Sequence, residues 1–198
     1  MTMGTLLHPD LSEFQRKAIH LSFLALPLAY LYGWPKSVIR DLLLGMVVVA
    51  FGIELLRLNE PRVRMFFRQF FGNLIRRHEK RALLGSTYML IAALISVELF
   101  SKPVCVAALG CLILGDAAAS LVGKTWGRTH PFGSKKSLEG SLACLVVSFA
   151  FVFGVVHLPW PIALAGAAAG TLFELLPLPL DDNFAIPLSA GFVMKLLM

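Results

Sequence analysis

The sequence predicts an all-α membrane protein, a polytopic bundle of about seven transmembrane helices with one amphipathic helix at the membrane surface. Hydrophobic residues make up 57% of the 198 residues, and the mean hydropathy is +0.75. They fall into blocks of about 17–20 residues, the length that crosses a bilayer as a helix. Basic residues fall mainly between alternate blocks. Because the blocks use nearly the whole chain, we expect one transmembrane domain over residues 1–198.

The apolar blocks define the predicted spans in chain order. Prolines lie at several of the breaks, where a residue without a backbone donor suits the end of a helix. The last block is the weakest span, because it is short and contains Pro187. The spans are predicted at roughly 15–32, 38–56, 82–100, 103–122, 140–157, 160–176 and 184–198.

The distribution of lysine and arginine predicts the orientation. Fourteen of these residues fall on the side of the N-terminus and four on the other side. Basic loops stay in the cytoplasm, so the N-terminus is predicted to be cytoplasmic. The net charge of +6 then belongs to loops, and no basic soluble face remains for nucleic acid, which is excluded as a partner. The expected location is the plasma membrane of a prokaryote.

Segment 61–81 differs from the spans. Its apolar residues, such as Phe67, Phe71 and Ile75, recur at helical spacing, and arginines fall mostly elsewhere around the helix. This pattern predicts a cytoplasmic amphipathic helix over 61–81 that lies in the membrane interface. It serves either as a surface anchor or to gather anionic lipid or nucleotide near an active site.

Acidic side chains near the ends of spans are candidates for chemistry. Asp116 lies among small residues near the cytoplasmic end of a span, where a charge is costly unless it has a role or a partner. Glu139 begins the next span, two residues after Ser137, which is a candidate helix cap. The structural alternatives are a hydrogen bond between helices for Asp116 and a capping role for Glu139.

A third acidic group lies in a loop bounded by prolines and follows Glu174. It consists of Asp181, Asp182 and Asn183. Carboxylate and amide oxygens of this kind suit Mg²⁺ held together with substrate phosphates. The structural alternative is an ordinary polar turn in which Asn183 caps the last helix.

The segment richest in polar residues is 123–139, predicted to be a cytoplasmic catalytic loop. Its glycines allow tight turns with exposed N–H groups, and Lys135 and Lys136 lie just before the N-terminus of a helix, itself an anion site. His20 follows Arg16 by four residues, so both share a helix face on the same side of the membrane. Carboxylates for Mg²⁺ and lysines for phosphate together predict phosphoryl or nucleotidyl transfer.

These residues resemble the membrane polyprenol kinase family, which includes dolichol, phytol and farnesol kinases and the CTP-dependent diacylglycerol kinase of yeast. The resemblance runs through Gly115-Asp116, Gly123, Gly127 and the segment Lys135-Lys136-Ser137-Leu138-Glu139-Gly140-Ser141. Two further segments agree in order, Arg16-Lys17-Ala18-Ile19-His20 and Glu174 followed by Asp181-Asp182-Asn183 and Pro187.

The resemblance implies transfer of the terminal phosphate of a nucleotide, commonly CTP, to a hydroxyl of a membrane lipid alcohol. The implied catalytic residues are Asp116, Lys135, Lys136, Glu139 and Asp182. The implied nucleotide-binding residues are Arg16, Lys17, His20, Gly123, Lys124, Gly127, Lys135, Lys136, Ser137, Gly140 and Ser141. The implied Mg²⁺ ligands are Asp116, Glu139, Asp181, Asp182 and Asn183. Which carboxylate binds metal, and whether CTP or ATP is the donor, stay open.

Two other functions fit parts of the pattern. Phosphatidate cytidylyltransferases carry a segment that resembles Lys136 to Gly140, but their Asp-Arg pair occurs nowhere in this chain. A small transporter would also place carboxylates in a membrane, although near the midplane rather than at the cytoplasmic ends.

Overall fold

All regular elements that the structure describes are helices, which confirms the predicted all-α fold. The computed structural model describes residues 8–72, 75, 78–131 and 136–198. The helices are α1 (His8–Ser22), α2 (Ala25–Tyr32), α3 (Lys36–Asn59), α4 (Pro61–Phe71), α5 (Gly85–Leu99), α6 (Lys102–Gly110), α7 (Asp116–Trp126), α8 (Leu138–Gly154), α9 (Trp160–Leu175) and α10 (Asp182–Leu196). A π segment (Cys111–Gly115) joins α6 to α7, and a 3-10 helix (His78–Arg81) precedes α5.

The predicted span 15–32 is divided between two helices. A turn at Phe23 and Leu24 separates α1 from α2, and Pro27 lies in the first turn of α2. Proline has no N–H to continue the ladder of α1, but it fits the first turn of a new helix, where that donor would have no helical partner. The other predicted spans each correspond to one helical stretch with ends shifted by a few residues.

α6, the π segment and α7 form one continuous helical stretch, Lys102–Trp126, of 25 residues. Among the described residues it is the one helix whose length and composition would let it cross a membrane, and three shorter apolar helices accompany it. Glycines flank the π segment and let α8 approach: a Cβ on Gly110 would lie 2.0 Å from the Phe151 ring, and one on Gly115 2.5 Å from Ser148 Oγ.

The core surrounds α6. Residues from Val104 to Ile113 are buried, and α2, α5, α8 and α10 pack around them. Cys105, Cys111 and Cys144 are buried free thiols that pack as small side chains. α6 is thereby held in place from several sides, so the segment that follows it has a fixed position.

The amphipathic helix is shorter than the predicted 61–81. α4 ends at Phe71, and Gly72 follows as its C-cap. A buried arginine, Arg57 on α3, draws the following chain back to the bundle by donating to the carbonyl of Glu79 at 3.1 Å and to that of Ala82 at 2.6 Å. Glycine is a poor helix former, and these two bonds require the chain to turn inward.

Arg57 also forms a buried ion pair with Glu54. The two side chains are 3% and 2% exposed, and the guanidinium Nη2 lies 2.5 Å from Glu54 Oε2. The second oxygen of Glu54 accepts from the N–H of Leu84 at 2.9 Å and from the hydroxyl of Thr87 at 3.3 Å. The pair therefore connects α3 to the start of α5.

α7 and α8 cross with little space between their backbones. An ideal Cβ on Gly140 would lie 2.6 Å from the carbonyl oxygen of Ala119 and 3.2 Å from the Cα of Gly123. Backbone atoms cannot move aside as a flexible side chain can. These glycines therefore permit a close helix contact that positions the two ends of the loop between α7 and α8.

Replacing Gly140 by alanine is expected to destabilise the protein by about 1–3 kcal/mol, because the added methyl meets backbone. The matched control is Gly45→Ala in the middle of α3, where nothing lies within 4 Å of the added Cβ. That change should leave stability equal or raise it by up to about 1 kcal/mol. Thermal unfolding in detergent compares the two variants, and equal melting temperatures would contradict the close-contact interpretation.

Candidate active site

A cavity of about 280 Å³ lies between α1, α4, α5 and the first residues of α7 and α10. Its lining includes both polar and apolar side chains, so the cavity suits an amphiphilic molecule. The polar side chains are those of Arg16, Lys17, His20, Glu79, Ser86, Asp116 and Asn183. The apolar wall consists of Ile19, Phe67, Phe71, Ile75, Leu84 and Met89.

Asp116 lies at the polar side of this cavity and contacts α1. Lys17 Nζ is 2.5 Å from Asp116 Oδ2 and also donates to the Asp116 carbonyl at 3.2 Å. His20 Nε2 lies 3.9 Å from the same carboxylate oxygen. The structure thus brings together predicted site residues that are about 100 positions apart in the sequence, from the first basic motif and from α7.

A second cluster lies where the loop after α7 meets α9 and α10. Lys136 Nζ is 2.8 Å from Asp182 Oδ1 and also donates to the carbonyl of Glu174. The carboxylate of Glu174 accepts from the hydroxyl of Ser141 at 2.9 Å. Lys136 and Asp182, both predicted as catalytic, therefore form an ion pair that connects the loop to the C-terminal acidic motif.

The two clusters are electrostatically coupled. Asp182, which precedes the predicted span 184–198, has a raised pKa because burial disfavours its charged form. Lys136 opposes this shift, and the nearby charges of Asp116 and Asp181 add to it. Asp116 and Asp182 thus lie close enough for each to sense the charge of the other.

Asp181 and Asn183 organise the start of α10. Asp181 is the N-cap, and its Oδ1 accepts from the backbone N–H and the side-chain amide of Asn183, at 3.0 and 2.8 Å. The alternative in which Asn183 caps this helix is therefore wrong. The amide of Asn183 lies against Gly85, where an added Cβ would be 2.7 Å from Nδ2. Asn183 also lines the first cavity.

Glu139 stabilises the loop between α7 and α8 rather than lining the cavity. Its carboxylate accepts from the backbone N–H groups of Arg128 and Thr129, both at 3.2 Å. Backbone N–H donors, its own first and then those of Arg128 and Thr129, lower the pKa of Glu139 below its ordinary value. Ser137 caps α8 as predicted, since its hydroxyl accepts from the N–H of Gly140 at 3.1 Å.

The loop is shorter than the predicted 123–139. Gly123 and Lys124 lie in α7, which continues to Trp126, and α8 begins at Leu138. Gly123 and Gly140 allow helix packing, and Ser141 is buried against Glu174, so these three residues do not form an open phosphate-binding loop. Gly127 caps the end of α7, where an added Cβ would clash with the carbonyl of Gly123. The predicted phosphate-binding residue Lys135 lies outside the described residues.

Among the described residues, no group of three or more histidine, cysteine or acidic side chains is arranged to hold a metal ion. The predicted Mg²⁺ ligands instead lie in three places. Asp116 lies beside Lys17, Glu139 binds the loop, and Asp181, Asp182 and Asn183 lie at the start of α10, where Asp182 pairs with Lys136. Mg²⁺ in nucleotide-dependent enzymes needs only one or two protein carboxylates in addition to phosphate oxygens. Asp116 and Asp182 fit that smaller requirement.

Two features of the site were not predicted from the sequence. Glu79 lines the cavity and accepts from the N–H of Gly85 at 3.1 Å. Phe67 and Phe71 line the cavity themselves, whereas the sequence predicted a surface helix that serves either as an anchor or to gather lipid or nucleotide near the active site. The amphipathic pattern does contain the relevant signal, because inward-facing and outward-facing aromatic residues alternate along α4, but the pattern does not reveal what the inward face covers.

Comparison with known proteins identifies relatives over most of the chain. The chain is 29% identical to CTP-dependent diacylglycerol kinase 1 of Schizosaccharomyces pombe, over 94% of both proteins. It is 28% identical to the protein of the same name from Saccharomyces cerevisiae, over 92% of this chain and 72% of the relative. It is 25% identical to phytol kinase of a Synechocystis species, over 92% of this chain and 78% of the relative.

No protein-family model and no solved structure matches the chain. These three relatives are all named as kinases, and each is similar to most of this chain. Their similarity supports a polyprenol-kinase-like family and a phosphotransferase that acts on an alcohol group.

Proposed function

We propose that this protein is a membrane-embedded lipid-alcohol kinase that transfers the terminal phosphate of CTP to an isoprenoid alcohol or diacylglycerol. The observation that carries the proposal is the cavity of mixed lining, which Asp116, Lys17 and His20 share with apolar side chains that include Phe67 and Phe71 of α4. A lipid alcohol has this character, with one hydroxyl at the end of a hydrocarbon chain. The names of the relatives supply the donor CTP and the class of acceptor.

We further propose that the helices form a bundle of seven spans, with the site at the cytoplasmic face. Large apolar side chains remain exposed along α3, including Val48, Val49 and Leu56, as expected for a surface that contacts lipid. The clustering of basic residues on the side of Arg16 and Lys136 supports a cytoplasmic site, in the plasma membrane of a prokaryote.

In the proposed reaction, the lipid hydroxyl oxygen attacks the terminal phosphorus of the nucleotide. The bond from that phosphorus to the bridging oxygen breaks, and CDP leaves as the lipid phosphate forms. The hydroxyl proton passes to a carboxylate, and Asp116 is the best placed because it faces the cavity. Lys136, near Asp182, is assigned to the nucleotide phosphates, and the loop that contains it is held by Glu139.

Asp116 and Asp182 would hold Mg²⁺, with the amide of Asn183 nearby as a further oxygen donor. The ion would neutralise charge on the phosphate oxygens during transfer. The lysines that now pair with these carboxylates, Lys17 and Lys136, are cations suited to the same phosphates. Arg16 and His20 line the cavity and complete its positive side.

Purified protein with γ-labelled CTP or ATP, Mg²⁺ and a panel of phytol, farnesol, polyprenols and diacylglycerol tests the proposal. We expect label from CTP in one class of lipid. Absence of label from every lipid with both nucleotides would contradict kinase activity. Parallel reactions with phosphatidate test the cytidylyltransferase alternative, which predicts release of pyrophosphate and incorporation of the cytidine moiety instead.

A further inference from the structure

A second cavity, of about 780 Å³, lies next to the candidate active site, between the end of α3, α4 and the 3-10 helix. Four basic side chains line it, together with Leu58, Phe67, Gly72 and Ile75. No acidic side chain is among these described lining residues. The basic residues are Arg57, Arg64, Arg68 and Lys80.

The four basic residues contribute differently. Arg57 is paired with the buried Glu54, and Arg64 donates to the carbonyls of Arg57 and Leu58 at the end of α3, so both are engaged in holding the fold. Arg68 on α4 and Lys80 on the 3-10 helix are exposed and line the cavity from two different elements. A ligand between these elements would meet positive charge from both.

The outward face of α4 indicates where the cavity opens. Met65, Phe66 and Phe70 are 65%, 56% and 62% exposed, and their side chains would enter the hydrocarbon layer of a bilayer. Arg68 lies on the same helix, so its charge would be held at the depth of the lipid headgroups. At that depth a basic side chain meets phosphodiesters of anionic lipids.

We infer that this cavity binds an anionic phospholipid, with the headgroup phosphate between Arg68 and Lys80 and the first part of an acyl chain against Leu58, Phe67 and Ile75. The combination of cationic and apolar lining matches an amphiphile that carries one anionic headgroup next to a hydrocarbon chain. The inference uses the proposed membrane location but does not depend on kinase activity.

The site also borders the candidate active site. Phe67 and Ile75 line both cavities, so a lipid in the second cavity contacts the apolar wall of the first. Phe67 and Ile75 therefore form part of the lining of both sites.

Binding of fluorescent phosphatidylglycerol to the purified full-length protein in neutral mixed micelles tests the inference. Arg68→Gln and Lys80→Gln should each weaken binding about fivefold, the effect of one basic charge near an anionic lipid surface. Arg62→Gln is the matched control, since Arg62 is an exposed residue of α4 that does not line the cavity. It should change binding less than about twofold, and phosphatidylcholine should bind none of these proteins saturably.

Equal weakening by all three substitutions would show a diffuse surface attraction and overturn the site. Inorganic phosphate and CTP are added as competitors, and neither should displace the lipid at low millimolar concentration. Displacement by either one, with the same dependence on Arg68 and Lys80, would assign the cavity to a free anion and overturn the lipid assignment. Melting temperatures of the variants establish that each is folded, and Arg68→Lys, which keeps the charge, should restore binding.

Discussion

Asp116→Asn is expected to lower lipid-kinase turnover at least about 100-fold, the usual loss when a positioned acid–base group is removed. Asparagine keeps the size of the side chain but neither accepts the hydroxyl proton nor carries the charge that pairs with Lys17. Initial rates with saturating CTP and lipid measure the effect. The matched control is Asp41→Asn. Asp41 is an exposed carboxylate on α3 that pairs with Arg40, so this substitution should leave turnover unchanged.

A fold defect would lower activity for a different reason, so the Asp116→Asn protein should retain its melting temperature within a few degrees in detergent. Lys136→Ala supplies an independent variant from the second cluster, and it should raise the KM for the nucleotide as well as lower turnover. Wild-type turnover in Asp116→Asn would show that this carboxylate takes no part in the reaction. Retention of activity in both variants would contradict the proposed site as a whole.

Arg57→Met is expected to destabilise the protein by about 3–5 kcal/mol, because it leaves the carboxylate of Glu54 buried without its partner. The same change at Arg40, whose pair with Asp41 is exposed, should cost less than about 1 kcal/mol. Unfolding of both variants in the same detergent gives the comparison. Equal losses at the two positions would contradict the assignment of Arg57 as the residue that fastens α3 to α5.

The double variant Glu54→Leu/Arg57→Met separates the unpaired charge from the lost packing. It removes both members of the pair, so it should be more stable than Arg57→Met alone. Both variants lose the bonds from Arg57 to the carbonyls of Glu79 and Ala82, and the double variant also loses the bonds that Glu54 accepts from Leu84 and Thr87, so it should not regain the full wild-type stability. A double variant no more stable than the single one would show that these hydrogen bonds, and not the unpaired charge of Glu54, account for the loss.

Hydrophobic block length predicted the helices well, because an apolar block has few alternatives to a buried or membrane-facing helix. The end of α4 at Phe71 was not predictable from periodicity alone, since the apolar pattern continues to Ile75. Gly72 follows the helix as its C-cap, and Arg57 of α3 holds the carbonyls of Glu79 and Ala82 further along the chain. Hydrogen bonds between residues distant in sequence produce no recognisable pattern in the local sequence.

The candidate active site was likewise only partly predictable from the sequence. The residue types for phosphate and metal binding were recognisable, and Lys17 and Asp116 do meet across about 100 positions. The roles of the glycines were not recognisable, because Gly123 and Gly140 permit a helix crossing whose geometry depends on Ala119 and Ser137. A glycine in a polar segment is compatible with a turn, an exposed N–H or a close contact, and the sequence does not distinguish these.

The π segment before Asp116 has a consequence for any redesign of this helix. Each residue of an α-helix advances the side-chain direction by about 100°, and a π turn accommodates one residue more than a regular turn. Deleting one residue between Cys111 and Gly115 would restore a uniform helix and keep the composition almost unchanged. It would also turn the faces of α6 and α7 relative to each other, so that Asp116 and the core contacts of α6 could no longer both keep their partners. Chimeras that join α6 of one relative to α7 of another should therefore be aligned separately on each side of this segment.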